Sequence, residues 1–190
     1  VSAANDDHVT IYVSVPVLNE IKRLSTLAIS FDSSFVNFGA ATFKDMAGNP
    51  NVQAVTNTTQ GNYTADLTAP KLLSFNYSLN QQGTIYLAFD ETMNASSFVG
   101  SGITLIDERN GTVSYQMTNV VTTSTDGTMF EIILSKVDED VVKASNFCTS
   151  TENCFVMIQS LTISDMAGIA VSTIGTESAM QAAVLIPDTS

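Results

Sequence analysis

Tryptophan is absent, histidine occurs once, and lysine and arginine together number seven in 190 residues. Each shortage removes a class of function. Against 19 acids the seven cations leave a net charge of −12, a field that repels a nucleic-acid backbone. No nucleic-acid partner is expected. No apolar run approaches the ~20 residues a bilayer-crossing helix needs, so no membrane span is expected either. The opening VSAANDDHVT lacks a basic region followed by an apolar stretch, so it reads as carrying no signal peptide; a secreted protein would have it upstream or removed. Catalytic signatures are scarce too. His8 stands beside acids without a nucleophile motif, and neither a Gly-x-Ser-x-Gly elbow nor a phosphate-loop glycine pattern occurs. A carboxylate pair in the glycosidase manner lacks tryptophan, and the aromatics recur at strand spacing, as core residues do. The chain is expected not to be an enzyme.

What is present is core material. Apolar residues make up 44% and charged residues 14%, enough to fold and too little charge for a disordered chain. HVTIYVSV, KLLSFNYS, GTIYLAFD, TVSYQMTN, TMFEIILS and SLTISD alternate apolar with polar side chains or form short β-branched runs, the pattern of half-buried strands. LNQQG, RNG and STDG between them hold the Asn, Asp and Gly of tight turns. VDEDVVKASNF sets acids ahead of Lys143, the charge order of a short helix, and NASSF suits one helical turn. Strands at this spacing without βαβ alternation predict an antiparallel sandwich of the immunoglobulin-like class, or a jelly roll that shares its local signals.

A repeat decides between these. Asp-Met-Ala-Gly occurs at Asp45 and again at Asp165, and around it FVNFGAATFKDMAG aligns with FVMIQSLTISDMAG. Upstream, VTIYVSVPVLNEIKR lies over FEIILSKVDEDVVKA, matching Ser14 with Ser135 and Lys22 with Lys143. Downstream, ADLTAP corresponds to IPDTS, pairing Asp66 with Asp188. The unit is therefore about 120 residues long, a sandwich-sized repeat. Residues 69–190 read as one complete repeat and residues 1–68 as the C-terminal half of another. Such a half exposes its inner face and strand edges, so upstream residues or a partner chain must complete it, by strand complementation in the second case.

Three motifs carry a family resemblance: LTAPKLLSF opening the unit, IYLAFDETMNASSF at its second strand and DMAGN near its end. Together they resemble the tandem immunoglobulin-like repeats of large surface and extracellular proteins. The helical segment before the last strands is most similar to repeats of filament and flagellar-hair (mastigoneme) proteins of protists. The resemblance implies a rod of non-catalytic domains that spaces, adheres or assembles outside the cell, with neighbouring repeats or copies of itself as partners. An adhesin-type module that binds a glycan or protein, with or without calcium, is the second implication. Asp90 stands where the family pattern has Ser, and Ile169 where the first unit keeps Asn49.

Cys148 and Cys154 are the only cysteines, and both are missing from the aligned positions of the first unit. Joint absence is what a bonded pair predicts, and a disulfide implies an oxidising compartment. A reduced pair and a two-cysteine metal site are the other readings, the last short of further ligands. Five sequons, at Asn57, Asn62, Asn76, Asn94 and Asn110, are candidate N-glycan acceptors. Calcium is the cofactor that oxygen-rich domain ends suit, with Asp66, Asp90, Glu91 and Asp165 as candidate ligands; no Asp-x-Asp-x-Asp-Gly loop supports them.

Overall fold

The computed structural model describes residues 7–53, 58–59, 62–80 and 82–188. It divides the chain into two units, Val1–Asp66 and Leu67–Ser190.

Unit 1 is built from local structure. Helix α1 (Val15–Arg23) follows Ser14, carries proline in its first turn and ends on Lys22 and Arg23, the cationic side chains that a helix C-terminus favours. A 3-10 turn at Phe31–Ser33 follows, closed by the Ser30 N–H donating to Ser33 Oγ at 2.8 Å. Strand β1 (Phe35–Val36) pairs antiparallel with β2 (Thr58–Thr59), Phe35 opposite Thr59. The expected strand HVTIYVSV does not form. Residues 8–14 are irregular and exposed, because a strand needs a neighbour for its backbone groups and none of the described residues pairs with them.

Unit 2 is mostly β, with two sheets and one helix. The larger sheet has the order β12 (Val184–Ile186), β3 (Leu72–Ser78), β4 (Thr84–Asn94), β8 (Gly127–Leu134), β7 (Val120–Thr122), and β10 (Ser164–Asp165) pairs with the far end of β4. Most pairings are antiparallel; β12 runs parallel to β3. The smaller sheet orders β11 (Met180–Gln181), β9 (Phe155–Ile158), β5 (Ile103–Ile106) and β6 (Ser114–Gln116), all antiparallel. Alternation sends Phe75, Ile85, Leu87 and Ile132 of the first sheet, and Ile103, Leu105, Val156 and Ile158 of the second, into one shared apolar cluster. That merged core is what the two-sheet arrangement serves.

Helix α2 (Lys136–Ala144) starts at Ser135, whose Oγ accepts from the Asp138 N–H at 3.1 Å. NASSF supplies the expected helical turn, a 3-10 turn at Ala95–Ser97 capped by Asn94. SLTISD keeps only Ser164–Asp165 as strand, since Ser160–Thr162 closes into a 3-10 turn. Among the described residues no helix is long and apolar enough to cross a membrane.

Candidate functional site

Asp45 and Asp165 show what the repeated motif does. Asp45 Oδ1 accepts the N–H groups of Ala47 at 2.9 Å and Asn49 at 2.8 Å. Asp165 Oδ1 accepts those of Ala167 at 2.9 Å and Ile169 at 2.7 Å. Gly48 and Gly168 take φ of 86° and 83°, values open to glycine at little cost. The motif is thus a side-chain-locked turn.

The second carboxylate oxygen separates the two copies. Asn49 Nδ2 donates to Asp45 Oδ2 at 2.9 Å, and the Asn49 side-chain amide is the main reason the Asp45 carboxyl is held below its ordinary range. Ile169 occupies the matching place in unit 2 and has nothing to donate. Asp165 Oδ2 is accordingly buried without a hydrogen-bond partner, in a side chain that is 1% exposed.

The buried Glu91 is close by. It belongs to the stretch of β4 where the pairing with β8 skips register between Ala88 and Met93, while Asp165 pairs across from Met93. Carboxylate oxygens of Glu91 and Asp165 lie within 4.8 Å of each other. Two buried carboxylates at this separation, one with an oxygen left unpartnered, offer hard oxygen atoms that could supply part of the roughly six to eight ligands calcium takes.

The other two calcium candidates have protein partners. Asp90 Oδ1 accepts the Lys71 N–H at 2.8 Å, and the Asp90 N–H donates back to the Lys71 carbonyl. In unit 1, Lys22 Nζ donates to Asp66 Oδ2 at 2.5 Å. Unit 2 repeats that ion pair with Lys143 Nζ and Asp188 Oδ2 at 2.7 Å, and Lys143 also reaches the buried Glu139 at 2.7 Å. Asp188 first, then Glu139, raises the Lys143 pKa.

Cys148 and Cys154 are joined in a disulfide and sealed in the core. Among the sequons, Asn57 lies outside the described residues, and Asn62 is exposed. Asn110 is exposed in a turn with φ 58°, and the half-buried Asn94 uses its Oδ1 to cap Ser96 at 3.0 Å. Asn76 sits mid-strand between β12 and β4 with its amide oxygen buried, so a glycan there would displace packed structure.

A buried acid that the sequence does not single out organises unit 2. Asp138 accepts from Tyr115 Oη at 2.7 Å, Thr118 Oγ1 at 2.8 Å, Thr118 N at 3.0 Å, Asn119 N at 2.9 Å and Ser135 Oγ at 2.9 Å. Burial pushes its pKa up, but the Tyr115, Asn119 and Thr118 donors outweigh burial and hold it at about 2. It is a fully used anchor between α2 and the β6–β7 connection, with no lone pair left for a reaction. Neither the family models, the curated proteins nor the solved structures hold a match to this chain.

Proposed function

We propose that the chain is an architectural, non-enzymatic segment of an extracellular protein built from tandem immunoglobulin-like repeats, of the kind that makes a rod, filament or surface appendage. The recurrence of one local structure in two units carries this reading. Helix, 3-10 turn, locked aspartate turn and Lys–Asp ion pair return at offsets of 120–122 residues. Repetition of one structural unit along a chain is what serves spacing and assembly. The Cys148–Cys154 disulfide supports an oxidising compartment. Electron microscopy of the native material is the test: filaments or rods with a regular domain repeat are expected, and a compact particle without one would sink the reading.

The unpartnered Asp165 oxygen beside Glu91 favours a second reading, a binding module whose fold is tightened by calcium. Calcium then raises the melting temperature of unit 2 relative to chelator, and Glu91→Gln removes the increment. Equal melting with and without the ion would end it.

A further inference from the structure

The two units differ in what covers the same face. In unit 2, Phe130, Ile132 and Leu134 of β8 and Phe155 and Val156 of β9 are at most 8% exposed. Their aligned counterparts Val9, Ile11, Val13, Phe35 and Val36 in unit 1 are 43–51% exposed. The cover is identifiable in unit 2. Strand β4 pairs with β8, Ile85 opposite Ile132 and Leu87 opposite Phe130, and β5 pairs with β9, Leu105 opposite Val156.

Strand pairing leaves the same vacancy. The register of β1 with β2, Phe35 opposite Thr59 and Val36 opposite Thr58, is that of β9 with β11, Phe155 opposite Gln181 and Val156 opposite Met180. One edge of β1 is thus used as in unit 2. Its other edge, where β5 lies on β9, meets no described strand. A groove of about 350 Å3 lies beside β1, lined by Ala28, Ser34, Phe35, Val36, Tyr63 and Thr64. Ala28 and Ser34 stand where Cys148 and Cys154 fill the core of unit 2.

Resting on the repeat reading above, we propose that unit 1 is a docking platform for a front-half polypeptide, a segment with the strand pattern of β4 and β5 supplied by a further repeat of this kind. Its β4-like strand lies along residues 9–13, and its β5-like strand adds to the free edge of β1. A second copy of this chain is not the occupant. In such a copy β4 and β5 are already paired with β8 and β9, and donating them would open its own core.

One position tunes the fit. Val17 aligns with Asp138, the acceptor that Tyr115, Thr118 and Asn119 of the front half use in unit 2. A front half copied from unit 2 would bring those donors against a valine.

The test joins residues 67–126 directly ahead of Asp7 in the full chain, which sets the local concentration in the ~mM range. Backbone hydrogen exchange at residues 9–13 and 35–36 is expected to slow by about a hundredfold, with unit 2 unchanged. Ile11→Asp in the joined chain restores the original rates. Val17→Asp, which returns the missing acceptor, slows exchange by a further factor of about ten. Unchanged exchange at 9–13 while unit 2 remains folded overturns the proposal. So does protection that appears in the original chain and grows with its concentration, which would assign the face to a second copy. Loss of the platform leaves the architectural reading to the microscopy, and absence of filaments leaves the exchange result standing.

Discussion

Two segments that share a helix and turns, residues 9–51 and 130–171, end in opposite environments. Helices of nine residues, 3-10 turns, locked aspartates and positive-φ glycines recur in both, but only the second segment buries its apolar side chains. Local chemistry therefore sets turns and helices, while burial comes from strands some 40–60 residues earlier. Val9, Ile11 and Val13 keep the apolar alternation of Phe130, Ile132 and Leu134 but stay exposed.

The sharpest break of this comparison places one charge at matched positions. Ile132→Asp is expected to cost unit 2 about 4 kcal/mol or more, because a buried unpaired carboxylate has no compensation. Ile11→Asp leaves the melting temperature of the unmodified chain within a degree or so. Calorimetry of both variants reads the difference, and equal losses would mean that residues 9–13 are already covered.

Acid separates the units next. The Asp138 pKa falls from 3.8 to about 2 on folding, so its contribution is present above the unfolded value and is lost as pH drops through the folded one. Unit 2 should lose about 2 kcal/mol between pH ~4 and ~2 through this residue. Denaturant titrations should show that loss abolished in Asp138→Asn. Unit 1, with Val17 in that place, lacks the response.

Converting the disulfide to the unit 1 sequence, Cys148→Ala with Cys154→Ser, is expected to lower unit 2 stability by about 2 kcal/mol on chain-entropy grounds. Both units hold the first of these positions at nearly the same positive φ, 54° at Ala28 and 55° at Cys148. The backbone should therefore tolerate the exchange, and a loss far above that figure would point to a packing role for the sulfurs. The smallest effect comes from Ile169→Asn, which gives Asp165 Oδ2 the donor that Asn49 gives Asp45. Stability should rise by up to about 1 kcal/mol, and any calcium-dependent gain in melting temperature should shrink.

Features carried by neighbouring residues were legible in the sequence. The strand runs of β3, β4 and β8, the helix after Ser135, the turn at each Asp-Met-Ala-Gly and the cysteine pair all depend on local spacing. The division of the chain falls two residues before the boundary read at 68/69. Features made by distant residues were not legible. Lys22 and Asp66 each align with their counterparts, yet only the fold brings residues 44 positions apart together to make the ion pair. Asp138 reads as one of several helix acids, and its donors Tyr115, Thr118 and Asn119 follow no motif. The alternation over residues 9–13 was legible, but no described strand pairs with it.

The parallel pairing of β12 with β3 has a mechanical consequence. Because both strands run the same way, the start of β3 and the end of β12 lie at opposite ends of that ladder. A pull along the chain at these two points slides the strands past each other and strains all three residue pairs, Val184–Asn76, Leu185–Tyr77 and Ile186–Ser78, together. An antiparallel exit would bring the load to one end and open the pairs singly, like a zip. Under such a pull the β12–β3 ladder is loaded in shear.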